Sequence, residues 1–269
     1  EQEALYMKSV DEYTVLASVY DLVMEHVDYE GWVDYILHIV GMQRDIDLEP
    51  NERILELGCG TGLFTEELAY QCGASISACD GSEDMLKRTR QRFDETDSRF
   101  EFSQLDFEKG WDAFQPSHSF EVILLLYDCI NYIHTEAGLD QLFEGVKRFL
   151  SEGTVFVFDQ STPANSINNA EFFEDEGGNE SVTYIRRSRY DEGTHRHSTE
   201  FEITTPEGTF YEKHVQRTWT FLEMKSAIQK NGLEVRAAFD GFSLDPAFEE
   251  SERIHWVIGG IVDASHQND

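Results

Sequence analysis

The residues best placed to do chemistry lie in Arg53 to Gly62, "RILELGCGTG", where Glu56 is followed by glycines at alternate positions, Gly58, Gly60 and Gly62. The apolar run of Ile54, Leu55 and Leu57 reads as a buried parallel strand that ends in a tight turn. Glycines there supply backbone angles other residues avoid and let a ligand touch the main chain. The dinucleotide fingerprint, Gly-x-Gly-x-x-Gly, would need glycine where Leu63 stands. A strand-end carboxylate is a poor neighbour for a pyrophosphate and a good one for positive charge. The pattern leans from NAD towards a cationic nucleoside, and a nicotinamide dehydrogenase is the least favoured enzyme. Asp80, twenty positions after Gly60, closes the next apolar stretch, "ASISACD", where it is placed to accept hydrogen bonds from ribose hydroxyls. Capping the following helix is a weaker explanation for Asp80, because Ser82 can cap "EDMLKRTRQRF" by itself.

The elements that must position these groups follow from periodicity. Residues 1–47 read as two helices, one with Val15, Leu16, Val19, Leu22 and Val23 at helical spacing, the other with Trp32, Tyr35, Ile36 and Ile39. Thr61 to Gln71 reads as the first helix of an α/β body. "RFEFSQLDF" is a strand ending in Asp106 and Phe107. "FEVILLLYD" is the most apolar strand, as a central strand buried on both faces must be. It runs into "YDCINYI", Tyr127 to Ile133, at the carboxyl edge where open α/β sheets bind ligands. A helix over 135–150 and a strand ending at Asp159 come next. Between Asp159 and Trp219 the pattern changes. A polar, loop-like stretch precedes three segments that alternate with period two, "SVTYIRRSRY", "HRHSTEFEITT" and "TFYEKHVQR". They predict a three-stranded antiparallel insertion. A helix with Thr220 as cap and Gly232 as stop, then two strands, finish the chain.

Composition narrows the classes. The net charge of −32, from 53 acidic against 21 basic residues, opposes nucleic acid, whose binding rests on Lys and Arg neutralising phosphates. The excess reads as a solvated acidic surface of the salt-adapted kind or as a field that steers a cationic substrate. No apolar run approaches the roughly 20 residues needed to cross a bilayer, and the first ten residues lack a secretory pattern. Cys59, Cys72, Cys79 and Cys129 show neither a Cys-x-x-Cys pair nor histidines at metal-ligand spacing. They predict buried thiols in a reducing cytoplasm and no metal.

With Glu56, Gly58, Gly60 and Gly62 in the form Glu-x-Gly-x-Gly-x-Gly, and the ordered signals around them, nearly the whole chain resembles the class I S-adenosylmethionine-dependent methyltransferases. The resemblance implies an α/β, Rossmann-like, seven-stranded mostly parallel sheet with helices on both faces, its last two strands a reversed hairpin. It implies an N-terminal helical lid (1–47), a cofactor-binding domain (48–160 and 219–265) and a β insertion (161–218) that caps the acceptor pocket. Tyr20, Asp21 and Trp32 look like the lid residues that approach the methionine end of the cofactor. Gly81, Ser82 and Met85 would line the adenine, Asp106 would accept from its amino group, and Phe107 would lie against the ring. Tyr127 belongs to a stretch similar to the fourth motif of small-molecule methyltransferases. The chain has neither the Asn/Asp-Pro-Pro-aromatic motif of base amino methylation nor the Pro-Cys pair of cytosine C5 chemistry.

Methyl transfer of this kind is an in-line displacement that needs a nucleophile held about 3 to 3.5 Å from the methyl carbon. A base is needed when the acceptor is a hydroxyl or a protonated amine. Candidates are Tyr127, Asp128, His134, His195, His197 and His214, against which stand turn capping for Asp128 and exposed strand positions for the histidines. Arg186, Arg187, Arg189 and Arg217 would hold an acidic group on the acceptor or pair with glutamates across strands. The first reading is a methyltransferase acting on N or O of a small-molecule metabolite, releasing S-adenosylhomocysteine, as a cytoplasmic monomer or homodimer with no membrane partner. The alternatives are a tRNA or protein methyltransferase, or a cofactor-binding protein without transferase activity.

Overall fold

The computed structural model describes residues 8–44 and 48–261. The parts of the expected lid and last stretch at 1–7, 45–47 and 262–265 lie outside the described residues. The chain opens with a short strand, Lys8–Val10 (β1), then helices Leu16–Val23 (α1) and Tyr29–Arg44 (α2). The α/β body follows as Arg53–Leu57 (β2), Leu63–Cys72 (α3), Ser75–Asp80 (β3), Glu83–Arg92 (α4), Phe100–Gln104 (β4), Val122–Leu125 (β5), Glu136–Lys147 (α5) and Val155–Ser161 (β6). After a short helix, Pro163–Asn168 (α6), come strands Glu174–Gly178 (β7), Thr183–Asp191 (β8), Arg196–Thr205 (β9) and Gly208–Arg217 (β10). Phe221–Lys230 (α7), Leu233–Asp240 (β11) and Arg253–Ile261 (β12) complete the fold.

Seven strands form one sheet in the order β11-β12-β6-β5-β2-β3-β4. β2 to β6 pair in parallel, and β12 and β11 run antiparallel at one edge, the reversed hairpin expected from the resemblance. Alternate residues of the central strands enter different cores. Leu55, Ile123, Leu125, Phe156 and Phe158 pack with α5 and α7. Ile54, Val122, Leu124, Val155 and Val157 pack with α2, α3 and α4. A strand buried on both faces has no polar phase, which is why β5 and the first four residues of β6 read as unbroken apolar runs and β2 as one broken by Glu56 alone. Caps fix the helix starts: the Ser82 hydroxyl accepts from the Met85 N–H, and Thr220 and Glu223 form a reciprocal capping box.

Three expectations need correction. The insertion sheet holds five strands, in the order β1-β10-β9-β8-β7. β7 was hidden because its residues, "EDEGG", are poor strand formers. Glu174 and Asp175 stand opposite Arg187 and Arg186 across the β7–β8 pair, so cross-strand charge supports a strand that propensity does not. Second, Ser9 and Val10 are not helical; they lie parallel to β10 as an edge strand, and the helix starts at Leu16. Third, the stretch expected as one lid divides between two cores. Leu16, Val19 and Val23 of α1 pack against Tyr184, Phe201 and Ile203 of the insertion sheet, whereas Val33, Ile36, Ile39 and Val40 of α2 are buried against the main sheet.

Candidate active site

The parallel registers pair Leu57 with Cys79 and Leu125, and Asp80 with Gln104, so the carboxyl ends of β2 to β5 open on one edge of the sheet. A cavity of about 420 Å³ lies on that edge. Its floor is the glycine turn. Gly58, Gly60 and Gly62 all have left-handed φ, +72°, +57° and +84°. At Gly58 a Cβ would also sit 2.8 Å from Cys129 Sγ, and at Gly62 2.9 Å from Thr89 Cγ2. Gly58 and Gly62 therefore exclude side chains for two separate reasons, and Gly60 for its backbone angle alone. Leu63, first residue of α3, lines the cavity where a dinucleotide site would have its third glycine.

Three carboxylates edge this floor. Glu56 is only 4% exposed, lines the cavity, and has one buried oxygen, Oε2, without a hydrogen-bond partner. Burial pushes its carboxyl up to about 7; the Thr65 hydroxyl beside it pulls the other way, and the nearby Asp80 charge adds to the rise. Asp80 accepts the Gly60 N–H at 2.9 Å on Oδ2 and the Ser82 N–H at 2.8 Å on Oδ1. It thereby ties the glycine turn to the start of α4. Burial raises its carboxyl, and these two hydrogen bonds oppose the rise. Asp106 lines the cavity but is half spoken for, pairing with Lys109 at 2.8 Å and accepting the Glu108 N–H. Gly81, Ser82, Met85 and Phe107 complete this end.

The next wall is aromatic. Tyr127 and Asp128 have φ of +60° and +48°, two consecutive non-glycine residues in the left-handed region, which ends the strand at Leu125 and turns Tyr127 into the cavity. The Tyr127 hydroxyl is buried without a partner, and burial holds it neutral by raising its pKa far above the phenol range. Asp128 points away: its carboxylate meets Arg253 at 2.9 Å and accepts from Gln216 at 2.6 Å, while its N–H donates to Asp159. Arg253 also pairs with the buried Asp159, so one guanidinium serves two carboxylates and locks the strained turn to β6 and β12. Asp128 is a brace of the wall, not a base facing the cavity.

Tyr20 lines the cavity, and Trp32 does not. The Trp32 ring stacks on the far side of Tyr127, centroids 4.2 Å apart, wedged against Phe242 and His255. A tyrosine three residues earlier, Tyr29, reaches the cavity instead. The expectation for Trp32 is corrected because α2 belongs to the main core, and Trp32 supports the wall from behind. Asp21 is likewise outside, holding Thr61 and Arg92.

The cavity is also lined by Glu12, Tyr13, Tyr132, Ile133 and His134. His134 gives its Nε2–H to the Val215 carbonyl at 2.7 Å. His214 lies behind the wall, 4% exposed, with Nδ1 3.1 Å from the Tyr132 hydroxyl and Nε2 2.9 Å from Glu212. Glu212 is fully buried on β10 and also accepts the backbone N–H groups of Tyr13, Val15 and Leu16, capping α1 from the insertion sheet. His195 and His197 do not reach the cavity; His197 faces Ser166. Arg186 and Arg187 pair with acidic neighbours across strands, and Arg217 pairs with Glu223 over the Trp219 ring. Sequence reasoning missed Glu12, Tyr13, Tyr29 and Glu212, and it placed Tyr132 in the stretch at the carboxyl edge without giving it a role. A polar pair at i, i+2 on one strand face, Glu212 and His214, was the one signal available.

Residues 54–153 match the model of a family described as a methyltransferase domain. Over 251 residues the chain is 28% identical to YqeM of Bacillus subtilis (strain 168), provisionally named a methyltransferase, with 90% of this chain and 94% of that one covered. Two solved structures share the fold. An S-adenosylmethionine-dependent methyltransferase from Clostridium acetobutylicum ATCC 824 gives a TM-score of 0.74 at 22% identity, over 93% of this chain and 99% of that one. The sugar N-methyltransferase KedS8 from Streptoalloteichus sp. ATCC 53650 gives 0.68 at 18% identity, over 96% and 97%. Residues 54–153 thus carry a methyltransferase domain, on a fold shared with S-adenosylmethionine-dependent methyltransferases.

The residues present fit that cofactor. A buried, unpartnered Glu56 oxygen beside a turn that excludes side chains suits a ligand that is positively charged and must touch the main chain.

Proposed function

We propose that the protein methylates a nitrogen or oxygen atom of a small-molecule metabolite and releases S-adenosylhomocysteine. The observation that carries this reading is the continuity of one cavity, from Glu56, the glycine turn and Asp80 to Tyr13, Tyr132 and His134. At about 420 Å³ it is of small-molecule size, within the range of about 300–1,000 Å³ usual for such sites. S-adenosylmethionine supplies a methyl carbon on a positively charged sulfur that leaves neutral. Glu56, Gly58, Gly60, Asp80, Gly81, Ser82, Met85, Asp106 and Phe107 would hold it, with Tyr20, Tyr29 and Tyr127 screening the reacting end from water. The protein's contribution is alignment and exclusion of water. The acidic chain and the Glu12 carboxylate favour a basic acceptor over an anionic one, and a nucleic acid least of all. The likeness in fold to a sugar N-methyltransferase points the same way. Four unpaired cysteines suit a reducing cytoplasm, and no helix among the described residues is long and apolar enough to cross a membrane.

The test is incubation with methyl-¹³C-labelled S-adenosylmethionine and a panel of amino sugars, alkylamines, phenols and bulk tRNA, reading S-adenosylhomocysteine release and the new ¹³C-methyl resonance. The expected result is turnover with an amine or hydroxyl compound and none with tRNA. Cofactor binding without release above the no-acceptor control would make the protein a binder, and release with tRNA alone would overturn the small-molecule reading.

A further inference from the structure

We propose that Tyr13, Tyr132, His214 and Glu212 form a proton-accepting chain that takes the proton of the methyl acceptor. The proposal rests on the small-molecule methyltransferase reading above. Each link has hydrogen-bond geometry: Tyr13 to Tyr132 hydroxyl 2.6 Å, Tyr132 hydroxyl to His214 Nδ1 3.1 Å, His214 Nε2 to Glu212 Oε1 2.9 Å. The direction follows from the buried end. Both Glu212 oxygens receive donors, Oε1 from the Tyr13 N–H and Oε2 from the Val15 and Leu16 N–H groups. A carboxylate used only as an acceptor calls for N–H on His214 Nε2, which leaves Nδ1 with its lone pair facing Tyr132. Tyr132 then donates to His214 and accepts from Tyr13. Tyr13, in the cavity wall with its own proton committed inwards, offers only lone pairs to whatever occupies the cavity.

A phenol in that state accepts the N–H or O–H of a bound molecule. As the acceptor's proton passes to the Tyr13 oxygen, the Tyr13 proton passes to Tyr132 and the Tyr132 proton to His214 Nδ1. The electron pair of the broken N–H or O–H bond stays on the acceptor atom, which takes the methyl carbon in its place. One proton has then moved from acceptor to imidazole, and the Glu212 carboxylate faces the resulting imidazolium. Neither tyrosine is left as a phenolate, which burial opposes at both positions by raising their pKa. The groups facing His214 are Glu212 on its own strand, the Tyr13 and Tyr132 rings, and the uncharged Phe201 from β9. Glu12, Asp128 and Cys129 are the other titratable groups near Tyr132. Tyr13 is the catalytic residue of this set, Tyr132 and His214 relay, and Glu212 is a positioning residue. The chain joins the α1 segment, the turn after β5 and the insertion sheet, so it exists only when all three are docked.

Two measurements test it. In the free protein, ¹⁵N-histidine NMR is expected to show His214 as the Nε2–H tautomer, with the Nδ1 resonance shifting in Tyr132→Phe; an Nδ1–H tautomer would reverse the chain and overturn the proposal without any acceptor being known. With whichever panel amine or hydroxyl compound the wild type turns over, His214→Gln is expected to lower kcat about 10²–10⁴-fold at unchanged S-adenosylhomocysteine affinity and to lose the acid limb of the kcat profile. Tyr13→Phe is expected to lower kcat comparably and to lose the acid limb as well, because it cuts His214 off from the acceptor; an acid limb kept in Tyr13→Phe would overturn the relay. A His214→Gln enzyme that binds S-adenosylhomocysteine and keeps kcat within about threefold, with the wild-type pH profile, sinks the relay and leaves the methyltransferase reading intact. No turnover by the wild type with any panel member sinks that reading, and the tautomer still decides the chain.

Discussion

The two ends of the cavity are built by opposite means. The cofactor end comes from short, consecutive stretches of one sheet: a strand, a turn, a helix start and the next two strand ends. Its selectivity resides in backbone angles and in carboxylates that the turn itself satisfies or leaves free. The end proposed for the acceptor is assembled from pieces far apart in sequence, and its keystone, Glu212, holds the backbone of Tyr13, 199 residues away. On the proposed reading, a local design fixes which cofactor enters, and a design spread along the chain could change its acceptor without disturbing the cofactor.

Substitutions at the two ends should therefore separate. Glu212→Ala leaves three backbone N–H groups and His214 without their buried partner, and is expected to cost on the order of 3 to 5 kcal/mol of stability. Thermal melting checks it, and a loss confined to the β insertion and α1, seen by hydrogen exchange, would sharpen the division. Gly58→Val meets both a left-handed φ and the Cys129 sulfur, on the order of 3 kcal/mol together, and should abolish measurable cofactor binding while the α1 contacts persist. A variant that binds S-adenosylhomocysteine like the wild type would break the comparison. Asp80→Ala should weaken binding by about 1.5 to 3 kcal/mol in calorimetry, with no change at the acceptor end.

The smallest effect concerns Glu56. Its carboxyl is held at about 7 in the free protein, above the ordinary value of 4.5. Its native-state pKa is raised, so its contribution to folding stability is complete below pH 4.5 and is lost as pH rises through about 7. A bound cation needs the ionised form, so cofactor affinity should run the other way, rising about tenfold from pH 6 to 8 and then levelling. Glu56→Gln should flatten both slopes.

The same contrast explains what the sequence discloses. Glu56, the three glycines and Asp80 are legible because strand periodicity and turn chemistry are local, and one spacing relates them. The centre of the seven-stranded sheet is legible because strands buried on both faces are apolar runs. β7 escapes because it is held by backbone pairing with β8, where Arg186 and Arg187 stand opposite its acidic residues, and not by strand propensity of its own. Trp32 and Tyr29 share one helix, and only packing decides that Tyr29 reaches the cavity while Trp32 backs Tyr127. Tyr13 and Tyr132 carry no periodic signal, since their meeting depends on the docking of α1 against β10.

The most direct measurement is the proton balance of cofactor binding. Calorimetric titration of S-adenosylmethionine at pH 7, in buffers of different ionisation enthalpy, should show the wild type releasing about 0.5 proton more per site than Glu56→Gln. Equal proton counts for the two proteins would contradict a cation seated against a half-protonated Glu56, and with it the basis for reading the glycine turn as this cofactor's site.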